Sequence, residues 1–298
     1  MAASSSPAPI NRPSLKGPRM SEEPAFPSGS LMKGKRGLIM GVANKNSIAW
    51  HIAQQLHAQG AELAFTFINE AMERRVRPLA ESVGAKLILE CDVLDDLHMD
   101  RAFATIAKEW GSLDFLVHSI AFTDKAALEG SFVDNTTRQN FKDTMDVSAF
   151  SFVDAAARAA KLMPEGGAMV TLTYLGSERT IPNYNVMGVA KAALEASMRY
   201  IARDLGPRGI RVNAISAGPI KTLAAAGISS GRHMFSFNRK SSPLRDDTDP
   251  RGVAGAALYL LSGIGASCTG ETLHVDAGFH IVGMPDEDAL KEGHTNQR

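Results

Sequence analysis

The chain has 298 residues, of which 44% are hydrophobic and 21% are charged, so it is long enough to bury one large core. Its net charge of zero argues against a nucleic-acid-binding protein, and the absence of an apolar run near ~20 residues argues against a membrane span. No cysteine or histidine spacing indicates a disulfide framework or a metal site, so Cys91 and Cys268 are expected to be buried free thiols in a cytoplasmic protein.

Residues 1–31 are rich in Ser, Pro and Ala, which predicts a disordered or non-native N-terminal extension. From residue 32 onward, short apolar runs alternate with segments of helical periodicity. The predicted strands are 37–40, 63–67, 87–89, 115–117, 169–172, 212–215 and 272–275. The predicted helices are 48–59, 71–83, 99–110, 141–163 and 184–205.

Continuous apolar strands that alternate with helices indicate a parallel sheet covered on both faces. We therefore expect an α/β fold, a single-domain Rossmann-type doubly wound sheet that binds its ligand at the carboxyl ends of the strands. This dinucleotide-binding domain is predicted to span residues 32–284, followed by a polar tail at 285–298. The non-periodic stretch at about 218–242 is typical of a mobile lid.

The first strand ends at Gly41, and Ser47 is placed to cap the following helix, whose N-terminal amides can bind a diphosphate. This segment lacks the G-x-G-x-x-G spacing, so by itself it favours an ordinary strand-to-helix turn. Asp92, after the third strand, can accept from an adenine amine or cap the following turn. An NAD site often has an acidic residue after the second strand, where this chain places Glu70 one step late. Arg74 and Arg75 could bind a 2′-phosphate or lie on a solvated helix face.

The most informative pair of side chains is Tyr184 and Lys191. They are seven residues apart in a predicted helix, a spacing that returns to nearly the same face at about 3.6 residues per turn. A phenol can donate to an oxygen that becomes negative during a reaction, and an ammonium can bind cofactor hydroxyls. An isolated pair of this kind would be an ordinary feature of an amphipathic helix, but here it follows a strand and an upstream nucleotide-binding pattern.

Three segments carry a resemblance to a known family: YLGSER at 174–179, IPNYNVMG at 181–188 and RVNAISAGPI at 211–220. Over about residues 33–284 the chain resembles the short-chain dehydrogenase/reductase superfamily. Within it, the chain is similar to the NAD(P)H-dependent enoyl-acyl-carrier-protein reductases of bacterial type II fatty-acid synthesis. Most of the superfamily has its lysine four residues after the catalytic tyrosine, where this chain has Gly188. The longer spacing to Lys191, with Tyr174 ten residues upstream of Tyr184, characterises the enoyl reductases.

The resemblance implies reduction of the trans-2 double bond of an enoyl thioester, the final step of the elongation cycle. It implies that the catalytic residues are Tyr174, Tyr184 and Lys191. The implied cofactor-binding residues are Gly41, Ser47, Ile48, Asp92, Val93, Ser119, Ile120, Lys191, Ile220 and Thr222. The implied acyl-pocket residues are Ala121, Tyr174, Tyr184 and Met187.

We expect NADH as the preferred cofactor, with NADPH as the alternative, because Phe67 and Ile68 offer no cation. The implied partners are acyl carrier protein and three further copies of the chain in a homotetramer. Arg232, Arg239 and Lys240 of the lid are candidates for steering the acidic carrier protein. Two other functions remain open at this point: a carbonyl-reducing member of the superfamily, and a non-enzymatic dinucleotide-binding regulator.

Overall fold

The computed structural model describes residues 26–223 and 231–286, with only the backbone described at 231–233. Within these residues one seven-stranded sheet has the order β3-β2-β1-β4-β5-β6-β7, and each pairing is parallel. The strands are β1 (Arg36–Met40), β2 (Glu62–Phe67), β3 (Leu87–Glu90), β4 (Phe115–His118), β5 (Gly167–Thr173), β6 (Ile210–Ala217) and β7 (Thr272–Val275). The doubly wound architecture and all seven predicted strands are confirmed.

The helices cover both faces of the sheet. They are α1 (Ile48–Ala58), α2 (Glu70–Ser82), α3 (Asp96–Trp110), α4 (Phe132–Asn135), α5 (Arg138–Met145), α6 (Ser151–Lys161), α7 (Asn185–Leu205), α8 (Gly231–Ser241) and α9 (Pro250–Leu261). Alternate residues of each strand point to opposite faces, so Ile39 joins the core under α1 and α9. Leu38 joins the core under α3, α6 and α7.

Three helix predictions need correction. The predicted helix 141–163 begins earlier and is interrupted, because a π turn at Asp146–Phe150 separates α5 from α6. The stretch predicted to be non-periodic contains α8. Helix α9 was not predicted at all, although Asp249 caps its first turn and Pro250 occupies a position that favours helix initiation.

The end of the N-terminal extension also differs from the prediction. Residues 26–31 were expected to lie outside the domain, whereas Phe26 packs edge-on against His51 of α1. The amides of Gln55 and Gln59 donate to the carbonyl of Pro27 at 3.1 and 2.7 Å. The segment that begins at Phe26 is therefore part of the folded domain. Cys91 is buried as expected, while Cys268 is half-buried, and both are free thiols.

None of the helices among residues 26–223 and 231–286 has the length and apolarity that a membrane crossing requires. The same residues contain no cluster of side chains suited to a metal ion.

Candidate active site

The sheet has its topological switch point between β1 and β4, where strand order reverses and a doubly wound fold opens its ligand crevice. Gly41 follows β1 with a φ of 99°, a conformation that favours glycine. A Cβ built on Gly41 would lie 2.1 Å from the carbonyl oxygen of Ser119, which follows β4. The two strand ends therefore approach each other as closely as backbone allows, and only glycine fits at position 41.

Ser47 occupies the N-cap position of α1, as predicted, but its hydroxyl does not cap the helix. The oxygen instead accepts hydrogen bonds from the amides of Ala43 and Asn44 at 3.0 and 3.1 Å. The side chain thus closes the loop between β1 and α1 and leaves the first amides of the helix unclaimed by it. Ile48 begins the helix and packs against the core.

The ends of β2 and β3 lie farther along the same edge of the sheet. Asp92 accepts from the amide of Leu94 at 3.0 Å, so it caps a turn, which was one of its two predicted roles. Val93, the next residue, packs against the core under α3, α6 and α7. After β2, Asn69 caps α2, while Glu70 pairs with Arg74 at 2.6 Å on the exposed helix surface.

Helix α7 carries the tyrosine and the lysine into a buried position. Tyr184 is the N-cap residue of α7 rather than its first helical residue, and Lys191 lies two turns later. Both side chains are buried, with 8% and 7% exposed. The Nζ of Lys191 donates to the carbonyl of Leu172 in β5 at 2.7 Å. The predicted helix therefore delivers both groups to the carboxyl end of the sheet.

Tyr174 and Tyr184 meet in an edge-to-face contact, with ring centroids 5.0 Å apart and planes at 77°. Together with Met187 they belong to a small apolar cluster separate from the two main cores. Leu128 and Met145 also belong to this cluster, and the sequence pattern did not single them out. The structure thus brings three of the four predicted acyl-pocket residues together. The fourth, Ala121, is exposed on the loop after β4.

Burial sets the protonation of this site. It is the main cause that raises the pKa of Tyr184 above its ordinary value, with smaller contributions from Tyr174 and Glu195. Burial, assisted by Asp276, raises the pKa of Tyr174 to about 12. Burial lowers the pKa of Lys191 to about 8, an effect that Glu195 opposes. At neutral pH the site therefore offers two neutral phenols and an ammonium.

Gly188 explains why the lysine does not stand four residues after the tyrosine. A Cβ at position 188 would lie 2.7 Å from the carbonyl oxygen of Gly176. A Cβ at Gly176 would in turn lie 2.4 Å from the ring of Tyr184. The backbone after β5 therefore packs directly on α7 at this point. A longer side chain at position 188 would push away the segment around Gly176, which contacts the ring of Tyr184.

The loop after β6 closes the opposite side of the crevice. Ile220 is buried, and the amide of Thr222 donates to the carbonyl of Ile220 at 2.8 Å. A cavity of about 230 Å³ is bounded by Ile220, by Asn46 of the β1–α1 loop and by Phe235 of α8. The hydroxyl of Tyr174 donates to the sulfur of Met234 in α8 at 3.4 Å. Helix α8, which lies in the stretch predicted to be a lid, thus contacts Tyr174.

Part of the stretch predicted as a lid, residues 224–230, lies outside the described residues, as does the side chain of Arg232. Arg239 is exposed, and its guanidinium makes a two-pronged ion pair with Asp247, so an acidic partner would have to compete with that carboxylate for its charge.

Three buried polar residues near Lys191 were not predicted as site residues. His118 contacts the hydroxyls of Thr171 and Ser151 at 3.2 and 2.9 Å. Burial, with Lys191 nearby, lowers the pKa of His118 to about 3. Thr173 and Glu195 form the other two members. The available signal was a polar residue directly after a predicted apolar strand, at His118 and Thr173, and one among the apolar positions of a predicted helix, at Glu195.

The strand order, the glycine-lined crevice and the buried Tyr–Lys pair define a Rossmann-type protein of the short-chain dehydrogenase/reductase class. The family model described as Enoyl-(Acyl carrier protein) reductase matches residues 41–280. The chain therefore belongs to the enoyl-acyl-carrier-protein reductase family.

Individual relatives agree with the family assignment. Enoyl-[acyl-carrier-protein] reductase [NADH] 2 of Rhizobium meliloti (strain 1021) is 59% identical over 261 residues, which cover 88% of this chain and 97% of the relative. The crystal structure of the Anaplasma phagocytophilum enzyme in complex with NAD is 53% identical, with a TM-score of 0.84 and coverage of 88% and 99%. The Bacillus cereus enoyl-acyl carrier protein reductase, solved with NADP+ and indole naphthyridinone, is 48% identical, with a TM-score of 0.83 and coverage of 86% and 100%.

Proposed function

We propose that this protein reduces the trans-2 double bond of enoyl-acyl-carrier-protein thioesters with NADH, the final step of the fatty-acid elongation cycle. The observation that carries the proposal is the buried placement of Tyr184 and Lys191 on α7, beside the crevice between β1 and β4. Family membership supports the same reaction.

The crevice fits a dinucleotide. Gly41 and the loop closed by Ser47 would approach the diphosphate, because no Cβ obstructs the backbone there. Asp92 and Val93 would flank the adenine, and Ser119 and Ile120 would border the ribose and nicotinamide. On the other side, Ile220 and Thr222 would hold the carboxamide end, and Lys191 would bind the nicotinamide ribose. When bound, the nicotinamide supplies a hydride to the β-carbon of the substrate.

The phenol of Tyr184 would stabilise the negative charge that develops on the thioester oxygen of the substrate. Tyr184 stays neutral because burial raises its pKa, so it can donate a hydrogen bond to the thioester oxygen as that oxygen becomes an enolate. Lys191 adds a positive charge on the same side of the site, where burial strengthens its effect. Tyr174 packs against Tyr184 and limits where its ring can lie.

The apolar cluster around the tyrosine pair would receive the acyl chain. Met187 contributes one wall, and Met234 of α8 covers the cluster through its contact with Tyr174. We infer that α8 must move for substrate to enter, which agrees with the expected lid. Ala121, on the exposed loop after β4, would border the entrance.

NADH is the cofactor that the end of β2 favours. A 2′-phosphate would approach a loop in which Ile68 carries no charge and Glu70 carries a negative one. The cation nearest in sequence, Arg74, is already paired with Glu70. The NADH-dependent relatives support this choice.

The proposal includes acyl carrier protein as the partner that presents the substrate, and a homotetramer as the assembly. The elements α5, α7 and the π turn between α5 and α6 pack against one another. Their exposed apolar side chains are Phe141, Phe150, Val189 and Tyr200. Such a surface fits a second copy of the chain. Phe150→Asp should reduce the molecular mass measured by light scattering, whereas Lys161→Asp should not.

We also place the protein in the cytoplasm, which agrees with its free thiols.

The direct test is oxidation of NADH and of NADPH in the presence of crotonyl thioester. We expect rapid oxidation of NADH, and no oxidation when a β-ketoester replaces the enoyl substrate. Preference for the ketoester would identify a carbonyl reductase instead. Binding of NADH without turnover of either substrate would identify a dinucleotide-binding regulator.

A further inference from the structure

Glu195 is a buried carboxylate that the proposed reaction leaves without a role. It lies on α7 four residues after Lys191, and only 6% of it is exposed. Side chains four residues apart share one helix face, with Cβ atoms about 5–6 Å apart. An acid is rarely buried to this extent unless its charge is compensated. Glu195 therefore lies on the same buried face of α7 as the ammonium of Lys191 and is not a solvent-exposed helix residue.

Two adjacent residues at the end of β5 anchor the two charges. The hydroxyl of Thr173 donates to Glu195 Oε1 at 2.5 Å, and the carbonyl of Leu172 accepts from Lys191 Nζ at 2.7 Å. The carboxylate of Glu195 is therefore held at the end of β5 by a hydrogen bond from the strand. The strand end thus holds a negative and a positive group at fixed positions on one face of α7.

The other titratable groups around Lys191 do not supply this negative charge. His118 of β4 is buried with a pKa of about 3, so it is neutral. Tyr174 and Tyr184 are neutral phenols, since burial raises the pKa of each. Asp146, on the π turn that packs against α7, is exposed to solvent.

We propose that Glu195 is a positioning residue for the reductase: its carboxylate, held by Thr173, is the counter-charge that keeps Lys191 in the ammonium form needed to bind the nicotinamide ribose. The inference rests on the proposed role of Lys191. Loss of the counter-charge would leave a buried ammonium that gives up its proton at a lower pH. Cofactor affinity would then fall in a range of pH where the wild-type protein still binds.

The test is the pH dependence of NADH affinity, measured by fluorescence titration of the cofactor without substrate between about pH 6 and 10, the range in which a buried lysine titrates. In the wild type, affinity falls as Lys191 loses its proton. In Glu195→Gln, which keeps the shape of the side chain, the midpoint of this fall moves down by about one pH unit, a tenfold change in the protonation ratio. Glu195→Asp, which keeps the charge, retains a midpoint near that of the wild type.

Two controls separate this role from a structural one. Asp204→Asn removes an exposed negative charge from the same helix and should leave the midpoint unchanged. In a Lys191→Arg background the alkaline fall should disappear, because arginine stays charged, and Glu195→Gln should then have no effect on the pH profile. If Glu195→Gln does not fold, Thr173→Val should move the midpoint in the same direction by a smaller amount, and Thr173→Ser should not.

The outcomes distinguish the two proposals. A wild-type midpoint in Glu195→Gln, with or without a lower melting temperature, overturns the role of Glu195. A wild-type alkaline fall in Lys191→Arg contradicts the role of Lys191 itself. Absence of NADH binding in the wild type contradicts the proposed function.

Discussion

The two ends of the proposed cofactor crevice differ in how far solvent reaches them. At the end formed by α7, Tyr184, Lys191 and Glu195 are buried. At the end formed by β2 and α2, the side chains of Glu70 and Arg74 are 77% and 76% exposed. Charges interact strongly where water is excluded and weakly where it is present. The chemistry is therefore held by desolvated groups with little tolerance for change, whereas the choice between related cofactors depends on groups that solvent screens.

The largest effect should come from Tyr184→Phe, which removes the donor at the buried end. Turnover should fall by about 10²–10³, as for other lost donors to a developing oxyanion. The dissociation constant of NADH should stay near the wild-type value, because the cofactor contact belongs to Lys191. Steady-state kinetics and fluorescence titration would check both statements. Tyr200→Phe, on the exposed side of α7, is the matched control, and equal losses in the two variants would contradict the assignment.

His118 makes the buried end sensitive to acid. Its pKa is about 3 in the folded protein, below the ~6.5 of an unfolded chain. Between these values the unfolded state binds a proton that the folded state does not, so stability falls as pH decreases and is unaffected above the upper value. His118→Gln should make this slope shallower by up to ~1.4 kcal/mol per pH unit. Urea unfolding at several pH values would measure the slope, and a slope in His118→Gln equal to that of the wild type would contradict this prediction.

Gly188→Ala tests how closely the tyrosine loop packs on α7. The added methyl group meets the carbonyl oxygen of Gly176, so the unfolding free energy should fall by about 1–3 kcal/mol. Gly255→Ala, in α9 with open space around it, should instead raise stability by about 0.5–1 kcal/mol. Denaturant unfolding of both variants gives the comparison. A destabilisation at position 255 as large as at 188 would show that crowding is not the cause.

The smallest effect is expected at the exposed end. Glu70→Gln should free Arg74 and raise the efficiency with NADPH relative to NADH by about two- to fivefold, the scale of a surface ion pair. The increase should vanish when Arg74 is also replaced by Ala. Glu73→Gln, which breaks the next pair along α2 with Arg77, is the control. A change of cofactor preference beyond tenfold would mean that this end is less screened than its exposure indicates.

The sequence predicted the strands and the Tyr184–Lys191 pair because both depend on local pattern. Short continuous apolar runs between helical segments are typical of buried parallel strands, and a seven-residue spacing places two side chains on nearly the same face of a helix. The missed features depend on contacts between distant segments. Glu195 reads as an ordinary polar helix residue until Thr173 is placed beside it. The hydroxyl of Ser47 could have capped α1 or closed the preceding loop, and only the path of that loop decides.

Helix α9 was missed for a different reason. Gly252 and Gly255 lower its intrinsic helical propensity, so its periodicity is weak despite a good start signal at Asp249. Packing against α1 stabilises it instead. A helix of this kind is specified by its neighbours more than by its own residues.

The packing of α1 against α9 joins two segments about 200 residues apart in the chain. One face of the sheet is complete only when both are present, since Ile52 and Leu56 of α1 share a core with Val253 and Leu260 of α9. A ribosome making this chain releases α1 long before its partner, so the apolar side of α1 stays uncovered for most of synthesis. The emerging polypeptide should therefore depend on chaperones until its last segment is released, and products truncated before residue 250 should aggregate.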